Sequence, residues 1–385
     1  MKVREMHDVY TGALNSPYCV ELISTEEGVD ALESDWNRLS ACAESPNVFM
    51  TYSWFRTWLR RLICDDGRGQ LLPNLLLIRQ KEAVVGIAPL VRRIVTRPGF
   101  RRQKLEFATH HSDYNELVVG KDVRALTHAV MDYLASSARD WDLVDLKEMR
   151  DDGNRIADME AAAASAKLPY RLFWEEDKCL YMPINAPWST TRKEKHLRFA
   201  RRACVGLEER AGEGFRVRVT GQPQLEKGLL DRIIAVESQK RIDGLPLPPI
   251  IGKYREVFQS LFDVLGPQGA LIIVLVEKNE ELVAWRFLYR CGTKLWDYMT
   301  AYDYAYSALS PGTVLICAAI DYGFSHGCDE FDFLRGMDTY KLRWTHEFRR
   351  NRRMILWNSR WLSKLFAASY VRHRVPVSQE DHSHL

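Results

Sequence analysis

The stretch over residues 295–344 constrains this chain most. It reads LWDYMTAYDYAYSALSPGTVLICAAIDYGFSHGCDEFDFLRGMDTYKLRW. The pattern is a strand, a tight loop, a helix, a second strand, and a loop carrying Tyr340 and Lys341. At Ser310-Pro311-Gly312-Thr313 the start signals of a helix coincide, with Ser310 placed to cap and Pro311 suited to the first helical position. Gly327 supplies the stop. The first N–H groups of such a helix point outward unpaired, where they can hold a phosphate. The alternative is an ordinary capped helix.

The rest of the chain runs through a similar order of elements twice. In the first half, spacing predicts a strand at 18–24 and helices at 26–43 and 52–63. Antiparallel strands follow at 72–79 and 82–95, then a turn at Arg97-Pro98-Gly99 and strands at 105–109 and 115–119. A helix at 123–137, a strand at 143–147 and a helix at 154–167 complete it. The second half starts with a strand at 179–183 and a long helix at 190–212. A strand at 215–220, a helix at 225–241, a Pro-rich loop at 243–251 and a helix at 254–265 come next. A hairpin around Asn279-Glu280 and a strand at 294–301 lead into the opening stretch, and a strand at 353–357 and a helix at 359–372 close the chain. The class is α/β (α+β), with mixed sheets flanked by helices. The shared order implies a duplicated fold, with one domain over 18–172, a second over 178–358, and a C-terminal helix and tail over 359–385.

With 385 residues, 46% of them hydrophobic, there is core material for one large or two smaller domains. The net charge of +3 gives no global case for a nucleic-acid binder, so DNA is not an expected partner. No apolar run approaches the roughly 18–20 residues of a membrane helix, and the first residues lack the apolar core of a secretory signal. The eight cysteines are scattered without a CxxC pair, as expected for free thiols in a reducing compartment, the cytoplasm.

Several features could carry chemistry. Lys195, Arg198 and Arg202 share one side of the 190–212 helix, opposite Leu197, Ala200, Cys204 and Leu207. That side is either a phosphate-binding surface or a solvated face. Between Lys341 and Arg374 there are ten Lys or Arg residues against the single acid Glu347, and Trp357, Trp361 and Leu365 follow i, i+4, i+8 spacing. This segment reads as a helix docked on the core, as part of a phosphate site, or as a basic amphipathic surface for the inner membrane. Asp332 lies on the strand face opposite Phe331 and Phe333, near Arg335, Tyr340 and Lys341. Such a group can either move protons or form an ion pair. Asp303, before the loop, is a similar candidate. The loop His110-His111-Ser112-Asp113-Tyr114 suits substrate contact better than a metal, since no second cluster completes a ligand set; no metal is expected. GxSxG, Walker, GxGxxG and HExxH motifs are absent.

Trp285-Arg286-Phe287, Tyr298 through Asp303, Ser310-Pro311-Gly312, Phe331 through Gly336 and Tyr340-Lys341-Leu342-Arg343-Trp344 together resemble a known family. They are similar to GNAT-superfamily acyltransferases of the bacterial cellulose and exopolysaccharide type, related to the Fem-type aminoacyltransferases of peptidoglycan synthesis. Trp36 to Leu39, residues 47–58 and Ser112-Asp113-Tyr114-Asn115 extend the resemblance into the first half.

The resemblance implies tandem GNAT-like domains and transfer from acetyl-CoA or another acyl-CoA to a hydroxyl or amine of a sugar, glycolipid or envelope-polysaccharide precursor. It puts the cofactor pyrophosphate on the amides of Ser310, Pro311, Gly312, Thr313 and Val314. The mechanism expected for such a transfer is direct attack by the acceptor on the thioester, with Asp332 or Asp303 accepting a proton, Tyr340 donating one to the thiolate and Lys341 on the developing oxyanion. Arg335, Asp113, Tyr114, Arg198 and Arg202 would then contact substrate. The sequence departs from the family at the loop, where Arg or Gln is usually followed by two glycines and only Gly312 stands here. Two alternatives follow: a Fem-like ligase with an aminoacyl-tRNA donor, and a GNAT fold without activity serving a polysaccharide machine.

Overall fold

The computed structural model describes residues 9–11, 17–43, 46–64, 69–97, 99–108, 111–117, 119–138, 140–151, 153–188, 197–220, 228–239, 241–242, 245–246 and 249–374. Two compact units emerge, one combining Met1–Glu176 with Arg350–Leu385, the other Asp177–Arg349. Unit 1 contains β1 (Val9–Thr11), β2 (Tyr18–Ile23), α1 (Glu26–Asp30), α2 (Glu33–Ala41), α3 (Tyr52–Cys64), β3 (Gln70–Pro73), β4 (Leu75–Gln80), β5 (Ala83–Ala88), β6 (Leu90–Arg97), β7 (Phe100–Phe107), β8 (Val119–Gly120), α4 (Val123–Ser136), β9 (Leu143–Arg150) and α5 (Arg155–Ser165). The chain passes into unit 2 within β10 (Tyr170–Pro183). There follow α6 (Arg198–Glu208), β11 (Phe215–Thr220), α7 (Leu229–Glu237), β12 (Arg241–Ile242), β13 (Leu245–Pro246), α8 (Ile250–Lys253), α9 (Arg255–Leu265), β14 (Leu271–Lys278), β15 (Glu281–Cys291), β16 (Lys294–Tyr302), α10 (Pro311–Ser325), β17 (Glu330–Arg335) and α11 (Thr339–Leu342). Within β18 (Phe348–Trp357) the chain returns to unit 1, where α12 (Trp361–Arg374) follows.

Unit 1 has one sheet ordered β1-β2-β4-β5-β8 and a second set of strands ordered β18-β9-β7-β6-β3. The expected strands at 72–79 and 82–95 each break in two, because the hairpin changes sheets part-way. Pro89 has no N–H to give a ladder, and on the partner strand the Asn74 N–H bonds Leu90 O at 3.1 Å. β4 and β5 then serve one sheet, β3 and β6 the other. The helix expected over 26–43 kinks at Ala31-Leu32 into α1 and α2, yet Val29, Leu32, Trp36 and Leu39 all remain buried in one core.

The C-terminal boundaries differ from the expected ones. Residues 350–357 pair with β9 rather than belonging to the second domain, and α12 is not a separate tail. Buried ion pairs explain the return. Asp145 accepts Arg353 Nε at 2.8 Å and the Tyr370 hydroxyl at 2.7 Å, while Asp142 accepts Arg360 Nη2 at 2.9 Å and Ser363 Oγ at 2.8 Å. Such pairs form only when the tail folds back onto β9.

Unit 2 is a sheet ordered β11-β14-β15-β16-β17-β10. All neighbours are antiparallel except β16 and β17. The β14–β15 hairpin turns through Asn279 and Glu280 at φ 49° and 71°, the left-handed pair that matches strand twist. One face packs Ile272, Val274, Leu288 and Leu295 against Leu315 and Ala319 of α10 and Ala200, Cys204 and Leu207 of α6. Of the helix expected over 190–212, α6 is the described part; Lys195 lies outside the described residues, as do His110 and much of the Pro-rich loop.

The fold is mixed α/β, with a shared plan. Antiparallel strands lead to two parallel neighbours joined through a helix, β7-α4-β9 in unit 1 and β16-α10-β17 in unit 2.

Candidate active site

Parallel β16 and β17 pair only from Lys294 with Glu330 to Trp296 with Asp332, after which β16 continues to Tyr302 and β17 to Arg335. The strands therefore part at Asp297. A bulge inserts Tyr298 into β16 at the level of Phe287 and Leu288 on β15. Bulges re-aim side chains, and this one lies at the fork. On the other side β17 bends at Leu334, a branched residue held at φ 53°. Asp332 supports that bend by accepting the Leu334 N–H at 2.8 Å.

At the fork stands a pair of charges in an otherwise apolar interior. Arg286 of β15 is 1% exposed and Asp297 is 5% exposed. The Arg286 Nη1 donates to Asp297 Oδ2, and Nη2 reaches Gly312 O at 3.4 Å. Arg286 Nε and Asp297 Oδ1 are buried with no hydrogen-bond partner among the described residues. Burial pushes the Asp297 carboxyl above the usual carboxylate range, against the pull of Arg286 and then Lys341.

Tyr340 and Lys341 lie on the short helix α11, not on an open loop. Tyr340 exposes part of its ring, which faces the Arg286 guanidinium at 5.8 Å. Burial of its hydroxyl, then the Asp297 charge, holds the phenol far above its ordinary pKa, and Arg286 offsets only part of this. The phenol therefore keeps its proton at neutral pH. Lys341 is buried; its Nζ donates to Arg335 O at 2.6 Å and meets Asp338 Oδ2 at 3.4 Å. It ties α11 to the end of β17 and leaves a third donor for the cleft.

The first turn of α10 faces this cluster through Gly312. Ser310 does not cap the helix with its side chain: it sits in the left-handed region at φ 51°, and its carbonyl takes the N–H of Thr313 at 2.9 Å and of Val314 at 3.4 Å. A Cβ added at Gly312 would meet only Tyr302 Cδ1, at 3.9 Å. The space over that backbone is open, and a phosphate could approach it closely.

The remaining predicted residues fall elsewhere. Asp332 is completely buried and pairs with Arg349 at 2.7 Å. Asp303 accepts the Ala305 N–H at 3.0 Å and starts the 3-10 turn over Tyr304–Leu309. Arg335 is half-buried at the end of β17. Arg198 and Arg202 lie exposed on α6 with no ion pair to any described residue. Asp113 and Tyr114 belong to unit 1 and are buried, not presented on an open loop. Tyr114 lies under Arg150 at 5.3 Å, and the next residue, Asn115, bridges to β9, its N–H on Glu148 O at 2.8 Å. The chain's own residues thus fill the space beside β9 that stays open beside β16. Among the described residues no three His, Cys, Asp or Glu side chains gather as metal ligands, and no helix is long and apolar enough to cross a membrane.

Arg286 and Asp297 are the residues that reasoning from sequence missed as a site. The signal was available: each is the lone charge in a run of apolar residues, AWRFLY and LWDYM.

Comparison with known proteins bears on the same region. Residues 192–342 match the family described as Acetyltransferase (GNAT) domain, over less than half of the chain. A search of the curated proteins gives no match. The structure is similar to the crystal structure of FemX, at 11% identity and TM-score 0.57 over 86% of this chain and 98% of that one. It is also similar to a conserved protein of unknown function from Bacteroides thetaiotaomicron, at 10% identity and TM-score 0.52 over 84% and 97%. These likenesses concern the fold.

Proposed function

We propose that unit 2 is an acyltransferase working in the fork between β16 and β17, with acetyl-CoA or another acyl-CoA as donor. The acceptor would be a hydroxyl or amine of a sugar, glycolipid or related envelope precursor. The observation that carries this reading is the fork itself: a buried Arg286–Asp297 pair, the Tyr340 hydroxyl against it, and the open backbone of Gly312 at its edge.

In this reading the donor pyrophosphate rests on the first turn of α10 and its thioester enters the fork. The acceptor nitrogen or oxygen attacks the carbonyl carbon, its new bond to carbon forms, and the carbon–sulfur bond breaks. Tyr340 gives its proton to the departing thiolate, and the proton leaving the acceptor restores the phenol. Arg286 and Asp297 hold the Tyr340 hydroxyl in place. Lys341 supports the oxyanion with its remaining donor. Asp332 and Asp303 are held in structural bonds, so the base role expected of them passes to water relayed past Asp297.

Titration calorimetry with acetyl-CoA tests the donor. Micromolar binding, weakened about tenfold or more by Gly312→Val, supports the reading. Binding of charged tRNA alone would replace it with an aminoacyl-tRNA donor, and no binding of either would point to an inactive accessory role.

A further inference from the structure

Helix α12 is packed the opposite way round from an ordinary surface helix. Its inward side is Ser363, Ala367 and Tyr370, small or polar residues at i, i+4, i+7, two of them bonded to buried carboxylates. Its outward side carries Trp361, Leu362 and Leu365, which are 68%, 41% and 59% exposed. A helix normally buries such residues and shows the polar ones.

The surrounding charge has one sign. The helix contains no Asp or Glu, and Lys364 and Arg372 are exposed on it. Of the ten basic residues between Lys341 and Arg374, Lys341, Arg349, Arg352, Arg353 and Arg360 pair with carboxylates. Lys364 and Arg372 form no ion pair with any described residue. Beside them, the Arg102 guanidinium lies 5.6 Å over the Phe366 ring.

We propose that this face of α12 seats the protein on an anionic lipid surface. Trp361, Leu362 and Leu365 would enter the boundary between headgroups and acyl chains, while Lys364 and Arg372 meet lipid phosphates. Its chemistry fits lipid better than protein. A single convex helix face offers far less than the roughly 800 Å² per partner of a stable protein interface, and lysine is depleted from protein interfaces. A bilayer accepts a small apolar wedge rimmed by cations. The inference does not depend on the reaction proposed above, because no residue of the face belongs to the fork.

Sedimentation of the full chain with phosphatidylcholine vesicles, with and without phosphatidylglycerol, tests the proposal. The protein should pellet only with the anionic vesicles and be released by salt. Trp361→Ser/Leu365→Ser should lower partitioning about tenfold or more. Lys364→Glu/Arg372→Glu, which leaves every apolar contact in place, should also lower it. Calorimetric acetyl-CoA binding should be unchanged in both. Wild-type protein that stays in solution with anionic vesicles would overturn the idea, as would binding that both variants retain. So would a protein that ignores vesicles but self-associates through this face.

Discussion

Asp297→Ala leaves Arg286 buried with a guanidinium that cannot release its proton. What remains to it is Gly312 O at 3.4 Å, long for a good N–H···O bond, and the Tyr340 hydroxyl. Breaking one side of a buried pair in this way costs about 3–5 kcal/mol. Arg286→Met should cost less, because the stranded Asp297 can take up a proton, as burial already favours. The sign of the pH dependence follows. A folded pKa raised above the unfolded one means the native state keeps a proton that the unfolded chain has released. Stability of Arg286→Met is therefore fullest below the unfolded value of about 3.9 and falls as pH rises through the folded value, by at most about 1.4 kcal/mol per unit. Arg286→Met/Asp297→Leu removes both charges and should lie within about 2 kcal/mol of wild type. Urea unfolding followed by tryptophan fluorescence, repeated from about pH 5 to about pH 8, reads the order of the three variants. If Asp297→Ala sits within about 1 kcal/mol of wild type, or the double variant equals the sum of the singles, the charges are not the isolated pair described here.

Two further outcomes are expected. Tyr340→Phe should lower kcat by about 100-fold or more with little change in donor KM, as loss of a general acid does; unchanged steady-state turnover would remove Tyr340 from the chemistry. In unit 1, burial pushes Asp145 up, but the Arg353 hydrogen bonds and charge win and hold it below the usual carboxylate range. Its contribution is therefore present above the unfolded pKa and lost as pH falls through the lowered folded value. Asp145→Ala should destabilise unit 1 by about 3–5 kcal/mol near neutral pH and flatten its acid limb, read by circular dichroism melts. A variant as stable as wild type would mean the C-terminal segment is held by other contacts.

What could be read of the site from sequence depended on how local each signal is. The start of α10 at Pro311 is written in adjacent residues and is found where expected, although the Ser310 side chain does not cap it. Tyr340 and Lys341 are adjacent to one another, and both come to the fork. Alternation puts Asp332 on the strand face opposite Phe331 and Phe333, and Arg349 of β18 is brought against it. Alternation predicts which way a side chain points, not what a later strand brings against it. The same holds for Asp113 and Tyr114, whose polar run resembled a surface loop and is buried beside β9.

The sequence by itself determined the order of elements, the Asn279-Glu280 turn, the start of α10 and the apolar side of α6. Each of these rests on residues within a turn or two of one another, where propensity and periodicity act. Only the tertiary structure decided that residues 350–374 return to unit 1, that the strand pair at 72–95 changes sheets at Asn74 and Pro89, and that Arg286 meets Asp297 at the fork. Those outcomes depend on strand register and on a one-residue bulge, and a shift of one residue turns every later side chain to the opposite face. The most consequential pair in the molecule was therefore in plain view as two lone charges, and only the register of β15 and β16 made it a pair.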